Sequence, residues 1–320
     1  MVRIGIVGTN YISEWFMAGA RRTAGRIAPV AVYSRSAERA EEFARQERIA
    51  RGFDTYEQML ETVDAVYIAS PTIVHFPQAM AAIEAGKHVL VEKTMTASLS
   101  ETEEIFAAAE KHGVIAMEAM RHLHTPDYAL IQNAITKIGT IRYAHVEMLQ
   151  YSGRYDRFRA GEILNAFNPA LGNAAIVDIG VYCLEPTIDL FGAPLSHTGH
   201  SVYLHNGFEG GGSIQFEYDS MIADVTYSKI VKGVTPSTII GEDGAVTINL
   251  MGEPSLIELH GRKTKETLLD IPTVHPSDGM HHELLAFADQ IDAGAIDPRW
   301  KTVTLTARGI MDEHLARTAL

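Results

Sequence analysis

The chain has 320 residues, 46% of them hydrophobic and 21% charged, a composition for about two globular domains that excludes long disorder. Its 27 Lys+Arg and 40 Asp+Glu leave a net charge of −13, and the balance is acidic on both sides of residue 120 (12 basic to 16 acidic, then 15 to 24), so neither nucleic acid nor an anionic membrane is an expected partner. The single cysteine, Cys183, excludes an intrachain disulfide and a cysteine zinc cluster, no apolar run reaches the roughly 18 residues of a membrane span, and a strand starting at Val2 leaves no room for a signal peptide, so a cytoplasmic location is expected.

The first 120 residues alternate strand and helix. Strands are predicted at Val2–Val7, Pro29–Tyr33, Arg51–Phe53, Ala65–Ala69, His88–Val91 and Ile115–Glu118. They are apolar without strict alternation, as strands covered on both faces are. The helices between them have readable ends: Thr55 with Gln58 and Ser98 with Glu101 are capping-box pairs, and Gly86 and Gly113 stand where helices stop. The pattern predicts βαβ units and a doubly wound parallel sheet of the dinucleotide-binding (Rossmann) type over residues 1–120.

Past residue 120 the pattern changes. Pro126 opens a helix after Thr125, Ile141–Tyr151 reads as a long strand, and Ile176–Phe191 as a helix stopped by Gly192. Alternating runs follow at Ser213–Tyr218, Ile222–Tyr227, Ala245–Leu250 and Leu256–Leu259, with turns at Tyr218-Asp219-Ser220 and Asp243-Gly244. They predict an α+β domain over 121–320 built on a large, mainly antiparallel open sheet. The tail is helical at His281–Ala293 and Thr304–Ala319, the C-terminal helix being free to pack back on the first domain.

Gly8-Thr9-Asn10-Tyr11-Ile12-Ser13 joins the first strand to a helix. A dinucleotide fingerprint there reads Gly-x-Gly-x-x-Gly, with the pyrophosphate at the helix N-terminus. Only Gly8 is kept; Asn10 holds the second position, where positive φ is tolerated, and the small Ser13 the third. The second strand ends in Ser34-Arg35 where an NAD site would carry an acidic residue. A hydroxyl and a guanidinium suit a 2′-phosphate, so NADP is expected, with NAD the alternative. An ordinary strand–turn–helix with an arginine at a helix start would read the same way.

Residues Ala65-Val66-Tyr67-Ile68-Ala69-Ser70-Pro71-Thr72, His75, and Ala85-Gly86-Lys87-His88-Val89-Leu90-Val91-Glu92-Lys93 together resemble the glucose-fructose oxidoreductase / inositol dehydrogenase (Gfo/Idh/MocA) family. That family has a Thr-Pro-Asn-like turn, a His soon after, and an Ala-Gly-Lys-His-Val…Glu-Lys-Pro run. The resemblance continues through Asp178-Ile179-Gly180-Val181-Tyr182 and Ile239-Ile240-Gly241-Glu242-Asp243-Gly244. Met117-Glu118-Ala119-Met120 and Tyr182 are most similar to the dimeric dihydrodiol dehydrogenase branch. Thr94 replaces the proline of Glu-Lys-Pro, Thr72 the usual Asn, and Asn173-Ala174 a Gly-Gly pair. Arg121 and Leu123 stand where the dihydrodiol branch has a Trp and an Arg, which speaks against an aromatic diol substrate.

The resemblance implies an NADP-dependent oxidoreductase acting on a secondary alcohol or ketone of a sugar, cyclitol or related hydroxy compound. It implies cofactor contacts from Gly8, Thr9, Asn10, Tyr11, Ile12, Ser34, Arg35, Ser70, Pro71, Thr72, His75, Glu92 and Lys93. Lys93, Asp178 and Tyr182 would be catalytic. A free phenol titrates near about 10, and a nearby ammonium favours the phenolate, so Lys93 would assist Tyr182 as acid/base; proton transfer through Lys93 itself is the other option. Asp178 would orient Lys93 or hold a substrate hydroxyl. The polar, aromatic stretch 151–168, with Tyr155, Asn165 and Phe167, and Arg121 after the sixth strand, would contact substrate alongside Asp178 and Tyr182. His122 and His124 make only two ligands, so no metal is expected, and His281-His282-Glu283 should be a solvated helix start. The family pairs as dimers or tetramers, and an outward apolar face carrying residues such as Ile214, Phe216 and Tyr218 or their alternates would supply the interface. A non-catalytic dinucleotide sensor or co-regulator, or a transient-redox glycosidase, are the alternatives; a sensor would have no need of Lys93, Asp178 and Tyr182 together.

Overall fold

The structure is a computed structural model, described here for residues 1–273 and 275–318. The first sheet contains β1 (Val2–Val7), β2 (Ile27–Tyr33), β3 (Arg51–Phe53), β4 (Ala65–Ile68), β5 (His88–Glu92) and β6 (Ala116–Ala119), all parallel, in the order β3-β2-β1-β4-β5-β6. The connecting helices are α1 (Tyr11–Ala20), α2 (Ala37–Glu47), α3 (Tyr56–Leu60), α4 (His75–Glu84) and α5 (Leu99–His112). Both faces of this sheet are covered. Along β4, Ala65 and Tyr67 enter one apolar cluster with Ile4, Ile6 and Phe16, while Val66 and Ile68 enter another with Met59, Ile83 and Ile105. This two-sided burial is why the strands read as continuous apolar runs.

The second sheet follows α6 (Pro126–Ile135) and β7 (Ile141–Leu149). Then come α7 (Tyr155–Arg159), α8 (Val181–Phe191), β8 (Ser196–Tyr203), β9 (Glu209–Glu217), β10 (Ile222–Ser228), β11 (Ser237–Gly241), β12 (Gly244–Ile248), β13 (Leu256–Gly261) and β14 (Lys265–Asp270). The strand order is β14-β13-β12-β11-β7-β10-β9-β8, antiparallel except for the β7–β10 pair. Strands β8 and β14, unpredicted, are the two edges; half-solvated edge strands need no apolar alternation. Ile214, Phe216, Val225, Tyr227, Ile239 and Val246 are buried on the inner face, and the alternates Ser213, Gln215 and Glu217 are exposed. The outward face of β9 is therefore polar, not the apolar surface expected of it, and Ile214 and Phe216 are core.

The chain divides into two compact units: Met1–Thr125 with His275–Leu305, and Pro126–Val274 with Thr306–Leu320. The tail helices α9 (Met280–Ala293) and α10 (Pro298–Thr318) thus differ from a simple division at residue 120, and the last residue of the predicted tail helix, Ala319, lies outside the described residues. Met280, Leu284 and Phe287 of α9 share the apolar cluster of Ile4, Ile6 and Phe16, which places this return segment in the first unit. Two helix starts differ from prediction. Thr55 makes no capping hydrogen bond; its hydroxyl turns to Asp54 Oδ1 at 3.4 Å. The predicted helix from Ile176 opens instead as a π-helical turn, Ile176–Gly180, before α8. Glu209 Oε2 holds the Ile176 amide at 2.9 Å, and a Cβ at Gly180 would lie 3.1 Å from the Tyr227 ring, so the turn is pinned at both ends.

Candidate active site

In the first unit, the residues singled out from the sequence sit at the C-terminal ends of the parallel strands, where an open α/β sheet binds its ligands. After β1, Gly8 has φ +112°, and a Cβ there would come 3.0 Å from the Ala69 carbonyl oxygen. Only glycine allows this approach. Asn10 caps α1: its Oδ1 accepts from the Ile12 and Ser13 amides (3.0 and 3.3 Å), and its Nδ2 donates to Ala69 O at 2.6 Å. Ser13 Oγ donates to Gly8 O at 3.0 Å. The Gly8–Asn10 loop is thereby clamped across to the end of β4, in front of the positive end of α1. Because Asn10 takes the Ile12 and Ser13 amides, a pyrophosphate here would meet the loop amides of residues 9–11 and the helix field. The departures from three glycines are thus accommodated: Asn10 substitutes a side-chain cap and Ser13 a side-chain clamp.

At the end of β2, Ser34 is half-buried with its amide bonded to Phe53 O at 3.1 Å, and Arg35 is exposed. Among the described residues Arg35 makes no ion pair. After β4, Ser70 Oγ donates to Gln78 Oε1 at 2.6 Å, Pro71 is exposed and Thr72 starts a short 3-10 turn. His75 lies behind these turns. It is 1% exposed, with its ring nitrogens 2.7 Å from Ser70 O and 3.2 Å from Met95 O. Burial lowers its pKa, and the ring joins the turns at Ser70 and Met95.

The end of β5 carries the densest charge. Tyr67 donates to Glu92 Oε1, the Lys93 amide to Glu92 Oε2, and the Met95 amide to Glu118 Oε1 at 2.7 Å. The Lys93–Thr94 peptide is cis, at the position where the resembling motif has its proline. Burial pushes the Glu92 carboxyl up, opposed by the Tyr67 hydrogen bond and by Lys93 and Arg121. Arg121 is half-buried after β6, its guanidinium 3.4 Å from where a Gly279 Cβ would stand. Glu283, expected to be solvated, is fully buried in α9. Burial and the nearby Glu92 push its carboxyl well up, and neither oxygen has a hydrogen-bond partner among the described residues. His122 is buried and held neutral, while His124 packs against Trp300 with ring centroids 4.6 Å apart. Among the described residues no three His, Cys, Asp or Glu side chains converge as metal ligands.

In the second unit, Asp178 lies on the π-helical turn and Tyr182 on the first turn of α8. Such turns occur disproportionately at functional sites. Tyr182 is half-buried, and its ring lies 3.2 Å from where a Gly252 Cβ would be, so that glycine makes room for it. Asp178 is ion-paired at 2.7 Å with Lys229, a residue without any sequence signal because lysine is so rarely buried. Tyr155 packs on Phe158 and Phe167, and Phe167 on Phe208, with centroids 5.0–6.0 Å apart. Phe167, expected to touch substrate, is fully buried in this cluster and forms its floor. Asn165 is exposed and lines an open cavity of about 440 Å³ with Arg154, Arg157, Ile163, Leu164 and Ala166.

Residues 2–120 match the family model of the oxidoreductase family with an NAD-binding Rossmann fold, Gfo/Idh/MocA. Among curated proteins, the chain is 38% identical over 317 residues to a scyllo-inositol 2-dehydrogenase (NADP(+)) of Bacillus subtilis, covering 98% of this chain and 96% of the relative. It is 28% identical over 286 residues to a trans-1,2-dihydrobenzene-1,2-diol dehydrogenase of Xenopus laevis, covering 87% and 83%. A solved 3-ketoreductase of Actinomadura kijaniata, crystallised with NADP and TDP-benzene, shares the fold with a TM-score of 0.85 at 23% identity, covering 98% and 97%. Among the described residues no helix is long and apolar enough to cross a membrane.

Proposed function

The chain belongs to the Gfo/Idh/MocA oxidoreductase family, and from that membership we propose that it transfers a hydride between NADP(H) and a secondary alcohol or ketone of a sugar, cyclitol or related hydroxy compound. The observation that carries this reading is the end-to-end similarity, 38% identity across 98% of the chain, to an NADP-dependent cyclitol dehydrogenase. The exposed Arg35 beside Ser34, with no acidic residue at the end of β2, supports NADP over NAD, since a guanidinium pairs with a 2′-phosphate and an aspartate would repel it.

The residues present suit the dinucleotide. The Gly8–Asn10 loop, where a Cβ on Gly8 would meet the Ala69 carbonyl, would hold the pyrophosphate, Ser34 and Arg35 the 2′-phosphate, and the turns at Ser70–Thr72 and Glu92–Lys93 the nicotinamide end. Bound cofactor would supply the hydride acceptor, NADP+, for alcohol oxidation and the hydride donor, NADPH, for ketone reduction. Tyr182 Oη takes the hydroxyl proton as the alcohol is oxidised and returns it on reduction. Lys93, at the end of β5, is the other candidate to carry that proton. The Asp178 pairing with Lys229 supports the substrate-hydroxyl role for Asp178: its carboxylate is already balanced by a cation and serves as a fixed hydrogen-bond acceptor. Arg121, Tyr155 and Asn165 complete the substrate contacts. The partners are small molecules rather than nucleic acid or membrane, and the protein works in the cytoplasm. It assembles as a dimer or tetramer.

The test is the change in NADPH absorbance with the purified protein, in both directions, over a panel of inositols, hexoses, nucleotide-linked ketosugars and their ketones. NADP-linked turnover of at least one cyclitol or sugar is expected. Tight NADP binding without turnover of any would replace this reading with a dinucleotide sensor.

A further inference from the structure

Lys229 directly follows β10, and its side chain is 5% exposed. Its ammonium makes two directed contacts, to Asp178 Oδ2 at 2.7 Å and to the Ala166 carbonyl oxygen at 3.0 Å. It also lies 5.2 and 5.6 Å from the ring centres of Phe167 and Phe208. A lysine withdrawn from water is costly unless charge, hydrogen bonds and aromatic faces replace its hydration, and here all three do. The two acceptors belong to different elements: Asp178 to the π-helical turn before α8, Ala166 to the 3-10 turn Asn165–Phe167 that ends the aromatic stretch. The main chain of Lys229 is fixed as well, its amide donating to Gly210 O at 3.0 Å and its carbonyl accepting from Ser152 N at 2.9 Å. Asp178 is 43% exposed, so the buried cation holds it from behind while its other side faces out.

We propose that Lys229 is a positioning residue for the reaction: one buried ammonium fixes the Asp178 carboxylate and, through Ala166, registers the 151–168 segment against it. This rests on the proposed role of Asp178 toward the substrate. Simple core packing would need no charge at this position and would not link a carboxylate to a loop carbonyl. The linkage predicts that losing the ammonium frees the loop and misplaces the acceptor together, while the first unit keeps its affinity for NADP.

The test compares Lys229→Met, which keeps most of the stem, with Lys229→Arg, which keeps charge and donors. In the protein without ligands, tryptic cleavage after the exposed Arg157 and Arg159 should speed by about tenfold in Lys229→Met, the effect of removing one charged hydrogen bond from a local opening equilibrium. Lys229→Arg should recover most of the protection. With the polyol that turns over best, Lys229→Met should lower kcat/KM by about 10–100-fold with the NADP Kd unchanged. In an Asp178→Asn background the same change should cost less than about threefold. An equal loss in both backgrounds, or a loop cleaved at the wild-type rate, overturns the proposal. If Asp178→Asn alone leaves turnover intact, the site reading fails instead, and the cleavage rates still decide whether Lys229 anchors the loop.

Discussion

Replacing Glu283 by Gln tests the charge state of the acidic cluster behind β5. Glu92 has the Tyr67 hydroxyl and the Lys93 amide as partners and lies near Lys93 and Arg121, whereas Glu283 is fully buried with no hydrogen-bond partner for either oxygen among the described residues. Burial pushes both carboxyls up, and Glu283, with no hydrogen-bond partner to oppose that push, is raised well above its ordinary value. A glutamine side chain has nearly the shape of the protonated acid, so the substitution should be close to neutral at low pH. An acid whose folded pKa lies above its unfolded value binds more protons folded than unfolded, and its stabilising contribution falls as pH rises. The window opens at the ordinary carboxyl value of 4.5 and extends upward to the raised folded value. Within it the wild type should lose about 1.4 kcal/mol per pH unit relative to Glu283→Gln, or about 3–5 °C of melting temperature for a unit of roughly 150–250 residues. Calorimetric melting of both proteins at half-unit steps from pH 4.5 upward measures the difference, and groups common to both cancel. The expected result is two curves that coincide near pH 4.5 and diverge, with the variant increasingly the more stable. Parallel curves over the whole range would refute the reasoning, because Glu283 would then titrate alike folded and unfolded.

Arg35→Ala should weaken NADP by about 1.5–3 kcal/mol, the worth of a hydrogen bond to a charged group, and leave NAD nearly unchanged, as read by titration calorimetry with each cofactor. Tyr182→Phe should slow turnover by roughly 10²–10⁴ with NADP affinity kept, and Lys93→Met should nearly abolish it; near-normal rates in Tyr182→Phe alone would make Lys93 the proton acceptor. Phe167→Ala should cost about 3–5 kcal/mol of stability by denaturant titration, since its ring is fully buried between Phe158 and Phe208; a loss below about 1 kcal/mol, with weaker substrate binding, would return it to the substrate surface.

The parallel sheet, its helix ends at Gly86 and Gly113, and the loop from Gly8 to Ser13 were legible in the sequence because they depend on local rules: apolar runs, capping and positive φ at glycine. The residues named at the ends of β4 and β5 are those that the family resemblance implies, and a βαβ unit presents the C-terminal end of each strand on one edge of the sheet. Burial is a property of what other parts of the chain bring up, and there the sequence was silent or misleading. Glu283 reads as a solvated helix start, yet α9 returns to the first unit and buries it near Glu92. His75 reads as a structural residue or a cofactor-side contact, and only the fold shows the turns at Ser70 and Met95 closing around its ring. Ile214 and Phe216 alternate like an outward stripe, but alternation cannot say which face of a strand meets the core, and here they meet it. Lys229 had no motif at all. Its ammonium is stable in the interior only because Asp178, Ala166 and two aromatic rings, 21 to 63 residues away in sequence, converge on it, and that convergence exists only once the second sheet has formed.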